Sequence, residues 1–208
     1  MSLRKYIVGQ FRHPTGSIGK LAGWIMANRG SNIRRNLFTV DALSINPEDY
    51  VLEIGCGPGV ALTEVLKKIN GGKLVGLDHS KEMIVQSRKS CLPAVSDGTL
   101  ELWIEQFETC QIEDQYFDKV FCVNVIQFFR DQKEAIEKIY RILARNGAAA
   151  VTYMPRTKRP SRLQALEMAE KVRKLMVDVG FLEIEILEYS CTPVPSVTVI
   201  GKKLTQPQ

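Results

Sequence analysis

From Tyr50 onward, short apolar runs rich in Val, Ile, Leu and Phe alternate with longer amphipathic stretches, a pattern that predicts strands and helices in turn. Strands are expected at 50–54, 73–78, 100–106, 119–124, 148–153, 181–189 and 196–202, with helices at 61–69, 80–90, 132–143 and 160–179. Regular βα alternation implies parallel strands, right-handed crossovers and helices on both faces of the sheet. The stretch between the last two strands is too short for a crossover helix, so the final strand turns back antiparallel. Upstream, Ile18, Leu21, Ala22 and Ile25, then Ile33, Leu37 and Val40, recur at helical spacing, and Gly30 divides them into two helices. Asn46-Pro47-Glu48-Asp49 is a turn, so residues 1–46 read as a helical arm or lid and residues 47–208 as the main domain.

The candidate chemistry begins in Val51 to Thr63, VLEIGCGPGVALT, where the first strand runs into Gly55, Cys56, Gly57 and Gly59 and then a helical pattern. Glycines at alternate positions make a turn on which a nucleotide-type ligand lies against bare main chain. A dinucleotide fingerprint starting at Gly55 needs glycine or alanine at position 60, where this chain has Val60, and this argues against a nicotinamide-cofactor oxidoreductase. Glu53 sits inside the first strand, where an acid is costly unless paired. Asp78 closes the second strand 21 residues beyond Gly57, and a carboxylate there can accept hydrogen bonds from both hydroxyls of a ribose. Ser80 reads as a helix N-cap.

With those residues, the strand 74–78 followed by His79-Ser80, the segment FDKVFCVNVIQFF (117–129), and the helix, Gly147 turn and strand after it, the chain resembles the class I S-adenosylmethionine-dependent methyltransferases of the small-molecule, type 11 kind. The resemblance implies a Rossmann-like, seven-stranded, mostly parallel sheet with an antiparallel last strand. It also implies S-adenosylmethionine as cofactor. On that reading Glu53, Gly55, Cys56, Gly57 and Gly59 serve its methionine end and Asp78 its ribose, while His79 lies along the adenine or, equally, faces solvent. After the third strand the family commonly has a G-D-A type sequence whose acid meets the adenine amino group; here Glu105-Gln106-Phe107 stands instead. Gln106 can accept that bond and Phe107 can cover the ring, with core packing the other reading of Phe107. Asn124, at once a cofactor and an acceptor candidate, is grouped with Gln127, His13 and Tyr153 near the methyl acceptor. Phe128 and Phe129 are expected in the core. Catalysis needs alignment first; His13 is the candidate base if the acceptor loses a proton, against a plain surface histidine beside Pro14.

The acceptor is expected to be a small molecule, apolar or lipid-like. The two prolines of amino-directed nucleic-acid methyltransferases are missing after Asn124, and no Pro-Cys nucleophile occurs. A cofactor-binding regulatory or partner protein without turnover is the competing function. Composition adds limits: 208 residues with 45% apolar side chains suit one α/β domain with an extension, and no apolar run approaches the roughly 18 residues of a membrane span. Five cysteines lie singly, without C-x-x-C spacing, which points away from zinc and disulfides and toward a reducing, cytoplasmic setting. Residues 1–40 hold seven of the 28 basic side chains and none of the 23 acidic ones, so the net charge of +5 belongs to the arm. Such an arm suits a lid, a solvated basic helix, a transit segment or peripheral contact with an anionic membrane.

Overall fold

The computed structural model describes residues 30–204. The first predicted helix and His13 lie outside them. The described chain runs α1 (Gly30–Ala42), β1 (Tyr50–Ile54), α2 (Val60–Val65), β2 (Lys73–Asp78), α3 (Lys81–Ser90), α4 (Leu92–Ser96), β3 (Leu100–Ile104) and β4 (Phe117–Val123). A 3-10 turn (Ile126–Phe128), α5 (Gln132–Ile142), β5 (Leu143–Tyr153), α6 (Arg162–Val179), β6 (Leu182–Tyr189) and β7 (Ser196–Lys202) complete it. Among the described residues no helix is long and apolar enough to cross a membrane.

The strands form one seven-stranded sheet in the order β3-β2-β1-β4-β5-β7-β6, with β7 antiparallel to both neighbours, as the spacing predicts. Central strands are covered on both faces, which is why they read as unbroken apolar runs. Leu52, Ile54, Val75, Leu77, Val120 and Cys122 pack with Ile136, Ile139, Ala165 and Val172 of α5 and α6. Val51, Leu74 and Phe121 pack with Val40, Leu62 and Ile84 of α1, α2 and α3. Each large aliphatic side chain so buried contributes about 1.5–3 kcal/mol. Strand order reverses between β1 and β4, and in sheets of this kind the ligand crevice lies at that point, outside the carboxyl ends of the strands.

Local chemistry sets the element ends. Ser80 caps α3 by accepting from the Met83 amide, and Ser161 with Gln164 forms a capping box at α6. β5 starts at Leu143 rather than Ala148: the Gly147 turn expected before it is a bulge within the strand, where pairing shifts between Phe117 and Lys119. Lys203 stabilises this bulge, its amide donating to Gly147 O and its ammonium to Leu143 O at 2.6 Å. Gly147 is required there because a Cβ would meet Asp118 O at 2.9 Å. β3 ends two residues early, at Ile104.

α1 docks on the sheet through a buried row of hydroxyls: Thr39 Oγ1 is 2.6 Å from Thr152 Oγ1 in β5, which is 2.7 Å from Thr198 Oγ1 in β7. Thr39 spends its own proton on Arg35 O at 2.9 Å.

Candidate active site

β1 delivers the chain into a loop that folds back on β2, where the amides of Gly55 and Cys56 both donate to Leu77 O, at 2.7 and 3.0 Å. Gly55, Gly57 and Gly59 all have left-handed backbones, with φ of 70, 53 and 86°. Their surroundings differ. A Cβ on Gly55 would lie 2.5 Å from Val125 Cγ2, and one on Gly59 would lie 3.2 Å from Ser87 Cα, so those two glycines permit close packing. A Cβ on Gly57 would meet nothing within 4 Å, so bare main chain there faces open space.

Two carboxylates lie together on one face of the sheet, and Asp78 borders that space. Asp78 accepts from the Gly57 amide at 2.9 Å and the Ser80 amide at 2.8 Å, with His79 Nδ1 at 3.7 Å. Burial raises its pKa and the two amide bonds pull it back. Glu53 is 2% exposed, and its Oε2 is buried without a hydrogen-bond partner. Burial first, then repulsion from Asp78, pushes its carboxyl well above the ordinary range, against a bond from the Leu62 main chain. Burial and then the same Glu53 charge raise the Cys122 thiol to about 12. A second carboxyl in a dry pocket with one oxygen idle suits a cationic, hydrogen-donating ligand. Across the crevice Asn124, at φ 59°, exchanges two hydrogen bonds with the Met154 main chain: its Oδ1 accepts at 2.7 Å and its Nδ2 donates at 3.3 Å.

A methyltransferase-domain family profile matches residues 51–147. An uncharacterised methyltransferase of Bacillus subtilis, YdaC, is 31% identical over 183 residues, covering 88% of this chain and 98% of that protein. The chain belongs to the class I S-adenosylmethionine-dependent methyltransferases. The mitochondrial ubiquinone biosynthesis O-methyltransferase of Dictyostelium discoideum is 31% identical over 62% of this methyltransferase and 42% of its own length. A solved structure of a candidate S-adenosylmethionine-dependent methyltransferase from Methanococcus maripaludis shares the fold at a TM-score of 0.69 and 19% identity, over 90% of this chain and 94% of that one. The enzyme is a methyl transferase whose cofactor is S-adenosylmethionine, and the readings without turnover or with a nicotinamide cofactor fall away. The open face of Gly57 and the idle oxygen of Glu53 fit that cofactor, which has an ammonium, a sulfonium and two ribose hydroxyls to satisfy.

Other predicted residues take varied places in this methyltransferase. Cys56 is 4% exposed and its sulfur turns beneath the loop, 3.9 Å from Ser87 Oγ, so its main chain alone belongs to the loop surface. His79 is exposed beside Asp78, and the Gln106 side chain is exposed while its carbonyl closes a turn by accepting from Thr109 and Cys110 amides. Phe107 corrects the ring-cover reading: it is 3% exposed in the core, 5.7 Å from Phe129 and beneath Lys138 Nζ, leaving no face for a ligand. Phe128 corrects the core reading, being 42% exposed, because the 3-10 turn points Ile126 inward and Phe128 out. Tyr153 is half-buried at the end of β5, where burial raises its phenol pKa and keeps it a donor. Gln127 donates to Asn124 O at 2.7 Å, and its own Oε1 is buried without a partner.

Two further residues escaped the sequence reading. Ser87 Oγ donates to Gly57 O at 2.6 Å and so fixes the loop from α3. Its position on one face with Met83 and Ile84 was the available signal. Ile104, in register with Asp78, is 49% exposed at the end of β3, an apolar side chain where the strand pattern alone suggests core.

Proposed function

We propose that this methyltransferase holds the methionine portion of its cofactor over Gly57, with Glu53 toward the amino end and Asp78 toward the ribose, and methylates a small molecule that is apolar at least in part. The observation that carries the reading is the open space over Gly57 beside Asp78, whose neighbour Glu53 is a buried carboxyl with an idle oxygen. When bound, the cofactor supplies an electrophilic methyl on a sulfonium that departs neutral, so the protein needs no acid to expel it. Asp78 and Ser87 hold the loop rigid, so that its bare main chain is positioned before the ligand arrives. Asn124 fixes the facing edge, and the exposed Phe128 with the half-buried Tyr153 offers the acceptor an apolar wall and one hydroxyl. The relative named for ubiquinone biosynthesis supports an acceptor of that kind. We assign the arm 1–46 as a lid, with His13 as base where the acceptor sheds a proton; its last helix reaches the site's edge through Arg35, which donates to Met154 Sδ at 3.1 Å.

Isothermal titration with S-adenosylhomocysteine tests the reading. Binding to the wild type is expected, and Asp78→Ala should lose bonds of about 1–3 kcal/mol each. Folded protein that takes up no S-adenosylhomocysteine overturns it. For the acceptor, a turnover panel of phenols, carboxylic acids and amines with and without apolar tails is decisive, and turnover confined to nucleobases would defeat the small-molecule assignment.

A further inference from the structure

The segment after β3, Glu105-Gln106-Phe107 and the turn that follows, is held by a residue far away in sequence. Gln106 O closes a turn by accepting from the Thr109 amide at 3.1 Å and the Cys110 amide at 2.9 Å. One end of this turn is tied to the cofactor side, where the Glu105 amide donates to Asp78 O at 3.2 Å. The other end is tied to the acceptor side, where Glu108 Oε1 accepts from the Arg130 amide at 3.1 Å. Between them the ammonium of Lys138, from the middle of α5, donates to Phe107 O and, at 2.6 Å, to Cys110 O. It also lies 4.8 Å from the centroid of the Phe107 ring.

Two carbonyls converging on one point repel unless a cation stands between them, and an ammonium with three donors answers that need. The side chain of Gln106 is exposed just beyond the carboxyl end of β3, on a turn that its own carbonyl closes. We infer that Lys138 is a positioning residue for recognition of the cofactor's base: it latches the 105–110 turn so that Gln106 meets the adenine amino group. The inference rests on the proposed cofactor placement and goes beyond it by naming what sets base discrimination. Lys138 itself touches no ligand.

The test compares Lys138→Met with wild type by titration of S-adenosylhomocysteine and of S-inosylhomocysteine, in which a carbonyl replaces the amino group. Wild type is expected to prefer the adenine form, and the variant to lose about tenfold in affinity for it, the size of one charge-assisted bond. Affinity for the inosine form should change by less than about twofold, so that discrimination collapses. Turnover at saturating cofactor should stay within about twofold, and the amides of Thr109 and Cys110 should exchange hydrogen faster. Lys138→Arg, which keeps two donors, should restore discrimination. Equal losses for both ligands would make Lys138 merely structural and overturn the inference, as would unchanged discrimination. Should Lys138→Met not fold, Glu108→Ala loosens the exposed end of the same turn; a threefold fall in discrimination is then expected, and no fall overturns the idea. A wild type that binds neither ligand removes the cofactor placement and this inference together, whereas wild-type binding with an unaltered ratio removes the inference alone.

Discussion

The β1–β2 side of the crevice keeps side chains away from the main chain, whereas the β4–β5 side uses a side chain in place of main chain. On the first side Gly57 is bare and Asp78 and Ser87 hold it from behind. On the second, the amide of Asn124 pairs with Met154 and continues the β4–β5 ladder beyond the last strand residue. The first arrangement leaves room, and the second supplies rigidity without taking any. Ligand recognition and edge stiffness are therefore separable, and substitutions on the two sides should fail in different ways.

The largest effect is expected at Gly57. Gly57→Leu fills the open space, and titration should show at least about a hundredfold loss of S-adenosylhomocysteine affinity, near 2.7 kcal/mol, with a smaller cost in stability from the positive φ. Asn124→Ala should act the other way round, lowering unfolding free energy by about 2 kcal/mol in urea titration, because Met154 is fully buried and its amide loses an acceptor. Asn124→Gly, which keeps the backbone conformation, should lose nearly as much; full stability in that variant would assign the role to φ instead of the paired amide.

Glu53 comes next, with about 1 kcal/mol at stake. Its carboxyl is raised by burial and by Asp78, so the stability of the free protein is fully present below the unfolded value of about 4.3 and falls as pH rises through the folded one. Glu53→Gln should flatten that fall and raise the melting temperature near pH 8, while weakening the cofactor. Titration in buffers of different ionisation heat should show the wild type releasing a proton on binding and the variant releasing none. The smallest change is Phe128→Ser, where unfolding free energy should move by less than about 0.5 kcal/mol while KM for an apolar acceptor rises. A loss well above that would return Phe128 to the core.

The sheet was legible because strands covered on both faces leave continuous apolar runs, and the loop because only glycine tolerates three left-handed positions so close together. What escaped depends on distant partners. Phe107 looked like a ring for a ligand until Phe129 and Lys138 were seen to enclose it, and Phe128 looked like core until the 3-10 turn pointed it outward. Periodicity reports which face of its own element a residue occupies, and neither residue lies in an element long enough to show it. The early start of β5 was hidden for a related reason: Asn146 and Gly147 read as a turn, and Lys203, near the other end of the chain, converts them into a bulge.

The buried threonines carry a direction. Because Thr39 gives its proton to Arg35, Thr152 must give its own to Thr39, and Thr198 must give to Thr152. Every O–H in the row points from β7 toward the arm's last helix. Valine at the middle place would orphan an acceptor on one neighbour and a donor on the other in a single stroke. The arm's last helix and the antiparallel strand are thereby joined in series through a single β5 hydroxyl.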